Sequence, residues 1–309
     1  MKKKRISKRV FKENLELGAL TLPVIILLAL FSYWPMFGII LAFKNYKIPK
    51  GIFGSDWVNP IFKHFEFFLG SQDAFRVTRN TLGLNLLFIL AGTLGAVAFA
   101  ILLYEIKKAT HVKVYQTFAI IPTFLSWVAV SYIVYGLLDT EKGLINQIIR
   151  LFGGENVPWY TSPAYWPIIL TIVYVWHNVG IDCIVYYASL MGIDEELYEA
   201  AELDGAGKWQ KIRYISIPHL KPIVIMMTIL AVGKIFRADF GLFYNVTRNV
   251  GQLYPTTDVI DTYVFRALMV KGNFGMSSAA ALIQSVVCLI TIVATNAIVK
   301  KIEPDNALF

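Results

Sequence analysis

The chain has 309 residues; 56% are hydrophobic, only 16% are charged, and the mean hydropathy is +0.57. Soluble domains carry roughly 25% charged residues, so a water-soluble globule of this size is excluded and lipid is the solvent that fits. The net charge of +8 would suit nucleic acid in a soluble protein, but here the basic residues stand mostly between apolar stretches, where they report orientation in a membrane.

The chain opens on MKKKRISKRVFK and then turns apolar. The run 17–43 is too long for the core of a cleaved signal peptide, which spans about 7–15 residues, so it reads as an uncleaved first membrane helix. Five further stretches reach the roughly 20 apolar residues that a span needs: 81–104, 114–138, 166–190, 222–244 and 275–299. The fifth is the least uniform, because Lys234, Arg237 and Asp239 interrupt it. The sequence thus predicts an all-α polytopic membrane protein, one domain over 1–309 with six transmembrane helices.

Six crossings put both termini on one side. With the N-terminus inside, the inside segments 1–16, 105–113, 191–221 and 300–309 hold sixteen Lys and Arg. The longer outside segments 44–80, 139–165 and 245–274 hold eleven. The excess, led by Lys2, Lys3, Lys4, Arg5, Lys8, Arg9 and Lys12, predicts that both termini are cytoplasmic.

Tyr33 and Trp34, and the group Trp159, Tyr160, Tyr165 and Trp166, stand where aromatic belts anchor spans at the interface, although Trp is also a platform for a sugar ring. Ala91 and Gly95, and Gly275, Ala279, Ala281 and Ser285, are spaced for close helix packing in lipid. Cys183 and Cys288 lie in apolar runs and read as buried thiols. His64, His111, His177 and His219 have no metal-ligand spacing, so no zinc site is expected.

The inside segment between the fourth and fifth spans is more structured than a connection requires. Asp194 is an N-cap candidate, and Glu195 and Glu196 follow where negative charge suits the helix dipole. Leu197, Ala200 and Ala201 form a narrow apolar stripe, and Gly205 is placed for a left-handed cap. A second helix is expected from about 207 to 215, with Trp209 and Ile212 on one face and Lys208, Lys211 and Arg213 around the rest. Pro218 and Pro222 are expected to stop it before the fifth span. Such a pair suits a groove on another protein, and equally the membrane surface.

Within 194–218, the pattern Glu199-Ala200-Ala201, three residues, Gly205, nine residues, Ile215, one residue, Ile217-Pro218 closely resembles the EAA loop of bacterial ABC importer permeases. It departs from that loop mildly, with Ile217 where Leu is usual. Tyr33-Trp34-Pro35, Asn80-Thr81, Ile121-Pro122, the stretch Tyr254 to Tyr263 and Phe274-Gly275-Met276-Ser277 extend the resemblance to the carbohydrate-uptake, MalF- and LplB-like branch. The resemblance implies a permease with no enzymatic activity of its own. Glu199, Ala200, Ala201, Asp204, Gly205, Ile215 and Pro218 would couple it to cytoplasmic ABC ATPase subunits. It further implies a second homologous permease, an extracellular solute-binding protein and an oligosaccharide substrate, with no nucleic acid. No cofactor is expected on this chain, because ATP and Mg would sit on the partner ATPase. The Gly205-Ala206-Gly207-Lys208 run is no phosphate loop, since Glu202 and Trp209 stand where Gly and Ser or Thr are needed.

A charge at a helix centre costs roughly 2.5–3.5 kcal/mol on insertion scales, so intramembrane charges face a partner or water. Lys234, Arg237 and Asp239 in the fifth span, and His177, Asn178 and Asp182 in the fourth, fit two readings. They lock helices through ion pairs and hydrogen bonds, or they line a sugar pathway with Tyr174 or Tyr244 nearby. An ion-coupled secondary transporter and an ABC importer for a non-sugar solute are the alternatives.

Overall fold

The computed structural model describes residues 8–106 and 108–302, and the side chains of 17–106 and 108–301. The basic residues Lys2, Lys3, Lys4 and Arg5, and the side chains of Lys8, Arg9 and Lys12, lie outside the described residues. The described residues are mostly helical. The main helices are α1 (Lys8–Leu28), α2 (Gln72–Tyr104), α3 (Ala109–Ile120), α4 (Trp127–Leu138), α5 (Trp166–Leu190), α6 (Glu195–Leu203), α7 (Lys208–Val232), α8 (Ile260–Met269) and α9 (Phe274–Ile302). A two-residue antiparallel pair, β1 (Lys44–Asn45) with β2 (Asp56–Trp57), is a small exception to the all-α expectation. Among the described residues five helices are long and apolar enough to cross a membrane, and six if the bent pair α3–α4 counts as one span.

Two expected spans are broken, and each break has a local cause. The stretch 114–138 bends by 100° between α3 and α4. Pro122 opens a tight turn over Ile121–Phe124, and the Ser126 hydroxyl accepts from Ala129 N at 3.3 Å to start α4. The backbone freed by the bend is held by α5: Thr123 Oγ1 donates to His177 O at 2.6 Å, and His177 Nε2 lies 3.1 Å from Leu125 O. Non-helical backbone at membrane depth is tolerated only with such partners.

The stretch 222–244 is displaced rather than shortened. The helix starts in the preceding loop at Lys208, passes a wide turn at Ile212–Ser216 and ends at Val232. Pro218 and Pro222 therefore do not stop a separate helix, because the wide turn directly before Pro218 accommodates the missing amide. Beyond Val232 the chain unwinds as far as Asp239.

The bundle centres on α2 packed along α5. Gly180 on α5 lies directly on the Ala119 carbonyl of α3, where a Cβ would overlap backbone. Phe88 of α2 stacks on Tyr174 of α5 at 4.6 Å. Without a hydrophobic drive between helices in lipid, such close packing carries the association. Trp166 departs from the belt expectation: it is fully buried, and its indole N–H donates to Trp159 O at 2.8 Å. Tyr165 beside it stays exposed. In α1 no residue of the apolar stretch from Leu17 onward is buried within this chain.

Candidate functional site

The unwound segment 233–239 is pinned from four directions. Asn85 of α2 donates from Nδ2 to Ile235 O (2.7 Å) and Arg237 O (3.2 Å). Gln284 of α9 donates to Phe236 O at 2.8 Å. Asp261 of α8 accepts through Oδ2 from Ala238 N and Gln284 Nε2, both at 2.9 Å. Trp127 of α4 donates its indole N–H to Asp239 Oδ2 at 2.9 Å. Three carbonyls that a continued helix would have satisfied are thus met by side-chain amides. Asn85 within the apolar run of α2 and Gln284 in that of α9 were the sequence signal for this arrangement, because isolated polar residues in apolar runs are kept for a partner. Asn85→Ala is expected to release two of the carbonyl bonds and to lower stability in detergent by about 1 kcal/mol, read as a drop in Tm.

Beneath the turn lies a cavity of about 520 Å³ bounded by α2, α5 and α7. Its walls include Asn85, Phe88, Tyr174, Asn178, Lys234, Arg237 and Asp239. A smaller chamber of about 140 Å³ adjoins it, shares Phe88 and Tyr174, and is lined by Asp182, Thr93 and Tyr186. Five of the seven candidate pathway residues therefore face one cavity, and Asp182 lines the next. Tyr244 does not join them: its ring stacks on Phe240 at 5.0 Å and packs against Phe265 at 5.1 Å. The charged residues do not form the expected ion pairs with one another. Asp239 is held by the Trp127 indole and by Leu242 N at 3.2 Å, while Lys234 and Arg237 are exposed and make no ion pair among the described residues. Hydrogen bonding locks the helices here, and the two cations remain available.

At the other end of the bundle stands the 194–218 loop. Asp194 Oδ1 accepts from Glu196 N at 3.1 Å and caps α6. Gly205 adopts φ +80°, with its N–H on Glu202 O and Ala206 N on Ala201 O, the left-handed helix end that glycine favours. Gln210 accepts from Gly207 N at 2.7 Å and starts α7. No residue of α6 is buried, and Leu197, Leu203, Trp209 and Tyr214 are all exposed. Tyr198 ties α6 to α7 and to the bundle: its Oη bonds Ser216 Oγ at 2.9 Å, and its ring packs on Tyr104 of α2. Ser216 is buried inside the wide turn of α7. Ile215 packs into the same core, whereas Glu199, Ala200, Asp204 and Pro218 are exposed.

A second polar cluster was missed in the sequence. Asp258 is fully buried between Arg76 of α2 (3.2 Å) and Arg266 of α8, its two ion-pair partners. Asn80 donates to Asp258 O at 3.1 Å and Pro255 O at 3.2 Å, and Thr81 Oγ1 accepts from Ile260 N at 3.0 Å. Arg266 also lies over the Tyr254 ring at 4.1 Å. This cluster clamps the start of α2 to the segment that leads into Asp261.

A helical membrane protein with a cavity roofed by unwound, side-chain-pinned backbone, and with a capped helix pair on one face, has the layout of a transport permease. Residues 82–304 match the family model of binding-protein-dependent transport system inner membrane components, and the chain belongs to that family. It is a multi-pass protein of the plasma membrane. It is 32% identical to Protein LplB of Bacillus subtilis over 96% of this chain and 92% of the relative. It is also 32% identical to the polygalacturonan/rhamnogalacturonan transport system permease protein YteP of the same organism, over 99% and 94% of the two chains. The fold is similar to a chain of the crystal structure of a bacterial ABC transporter that imports the acidic polysaccharide alginate, with TM-score 0.84, 29% identity, and 96% and 98% of the chains covered.

Proposed function

We propose that this chain is one of two permeases of an ATP-driven oligosaccharide importer, with both termini in the cytoplasm and the cavity under the 233–239 turn as its solute pathway. Tyr174, Asn178, Asp182, Lys234, Arg237 and Asp239 line that pathway, and Tyr244 braces the chain next to it. The chain is a single transmembrane domain whose 194–218 segment docks into a cleft on a cytoplasmic ABC ATPase through Glu199, Ala200, Ala201, Asp204 and Gly205. Ile215 and Pro218 sit where the loop enters the span. ATP and Mg belong to the ATPase, and this chain binds no cofactor. An extracellular solute-binding protein delivers the sugar, and the second permease supplies the other wall. The ion-coupled carrier has no support in the family to which the chain belongs.

One observation carries the coupling role: α7 continues from the exposed loop directly into a membrane helix, so a push on α6 and the start of α7 reaches the cavity through one continuous helix. Lys234, two residues beyond that helix, lies in the cavity wall. Affinity purification of the full complex tests the reading. The ATPase should co-purify with the wild-type chain, and loss of the loop's exposed apolar residues (Leu203→Glu with Trp209→Glu) should release it; an unchanged yield of ATPase would refute docking at this loop.

The same geometry assigns Tyr198 a transmitting role. Tyr198→Phe removes one hydroxyl and leaves Ser216 Oγ buried without this bond, a change of about 1 kcal/mol. ATPase docking is expected to persist while solute-stimulated ATP hydrolysis in proteoliposomes falls; equal stimulation in the variant and the wild type would show that the bond transmits nothing.

A further inference from the structure

We propose that the cavity under the pinned turn selects for a negatively charged solute, an oligosaccharide bearing carboxylates, and that Lys234 and Arg237 are the residues that read the charge. The proposal rests on the assignment of this cavity as the solute pathway.

The two cations stand three residues apart on non-helical backbone, both exposed to the cavity and neither with a hydrogen bond or ion pair among the described residues. Everything near them that bears negative charge is engaged elsewhere or set apart. Asp239, the one carboxylate in the same wall, gives Oδ2 to the Trp127 indole and Oδ1 to Leu242 N. Trp127 is fixed in turn, stacked on His177 at 4.1 Å and closed over by Gly241, where a Cβ would overlap the indole. Asp261, which faces Arg237 from α8, is taken up by Ala238 N and Gln284. Asp182 lines only the adjoining smaller chamber. Three carbonyls of the turn, those of Ile235, Phe236 and Arg237, are already taken by Asn85 and Gln284.

Cations that served only to hold helices together would be paired, because an unpaired one at membrane depth costs roughly 2.5–3.5 kcal/mol on insertion scales. Kept free on a cavity wall, they match an anionic guest. The Arg237 guanidinium suits the planar fork of a carboxylate, and the Lys234 ammonium adds a point charge beside it. Across the cavity, Tyr174 offers an aromatic ring for a sugar face, and Asn178 beside it is held by its own bonds, Nδ2 donating to Tyr174 O and Oδ1 lying 3.5 Å from His177 Nδ1. The wall therefore pairs carboxylate recognition with sugar recognition.

The test uses the complete transporter in proteoliposomes with its binding protein. Uptake is measured for a panel of uronate trisaccharides and for their methyl esters, which keep the shape and lose the charge. The wild type should import at least one uronate. Lys234→Gln and Arg237→Gln together should lower the ratio of acid to ester uptake by at least about tenfold, equivalent to about 1.4 kcal/mol of differential binding, and Arg237→Lys should restore part of it. The Tm of the double variant should stay level or rise, since an unpaired charge is lost; a structural pair would show a fall. Failure to import any uronate, or parallel loss of acid and ester uptake, overturns the proposal. Tyr174→Ala separates the two levels. If it blocks uptake while the cation variants keep the wild-type ratio, only the charge assignment falls. If it and the cation variants all leave uptake intact, the cavity is not the pathway and both fall.

Discussion

Gly205→Pro is expected to abolish ATP-driven uptake while leaving the chain inserted and folded in the membrane. Gly205 sits at φ +80° and donates its N–H to Glu202 O at 3.0 Å. Proline fixes φ near −65° and carries no N–H, so the helix end cannot form, at a cost of about 3 kcal/mol or more. Confined to the loop, a cost of that size displaces the docking conformation by about a hundredfold. The rest of the molecule should not notice, because α6 has no buried residue and touches the bundle mainly through Tyr198. Glu199→Lys should act on the same step by another route, reversing charge on an exposed residue in the middle of α6 without disturbing helix propensity. Uptake and solute-stimulated ATP hydrolysis in proteoliposomes, with Tm as the control, check both variants. Wild-type uptake by either would remove that residue from the coupling step.

This loop was legible in the sequence because its geometry is written in local residues. An N-cap at Asp194, acidic residues in the first turn and a glycine needing positive φ are short-range signals, and each turned up as such in the structure. Most of the bundle was legible for a similar reason, since long apolar runs leave few alternatives to a helix in lipid. The breaks were not. Whether backbone unwinds at 233–239 depends on Asn85, Asp261 and Gln284, which stand roughly 150, 25 and 50 residues away in sequence and meet it only in the fold. Hydropathy saw Lys234, Arg237 and Asp239 as flaws in a helix, when they mark where the helix has already ended. The bend between α3 and α4 was hidden in the same way, because the group that satisfies Leu125 O is on His177. Pro218 misled in the opposite sense: a proline that looks like a stop is carried by a wide turn one residue earlier. Tyr244 was grouped with the pathway by proximity in sequence, and the turn sends it to a different neighbourhood, against Phe240 and Phe265.

Asp258→Ala is expected to be the most destabilising single substitution among the polar residues considered. The carboxylate is fully buried and neutralises both Arg76 and Arg266. Its removal strands the Arg266 guanidinium in a site built for a counter-charge, while Arg76 keeps its second partner, Asp73, at 2.7 Å; breaking a buried pair in this way costs about 3–5 kcal/mol. Asp258→Asn keeps the shape and part of the hydrogen bonding, so it should cost less than Asp258→Ala but still leave the charges unbalanced. The damage should also travel. The same segment is tied to α2 by Asn80 and Thr81, and three residues later it supplies Asp261, whose carboxylate holds Ala238 N in the pinned turn. A loosened 254–262 segment therefore frees one of the four restraints on the cavity wall, and uptake should fall along with Tm. Arg266→Leu in the Asp258→Ala background removes the stranded charge, and is expected to recover part of the lost Tm while uptake stays low. Full stability in Asp258→Ala, or no recovery in the double variant, would mean that Arg266 finds solvent when Asp258 is gone and that the cluster does not clamp α2 to the turn.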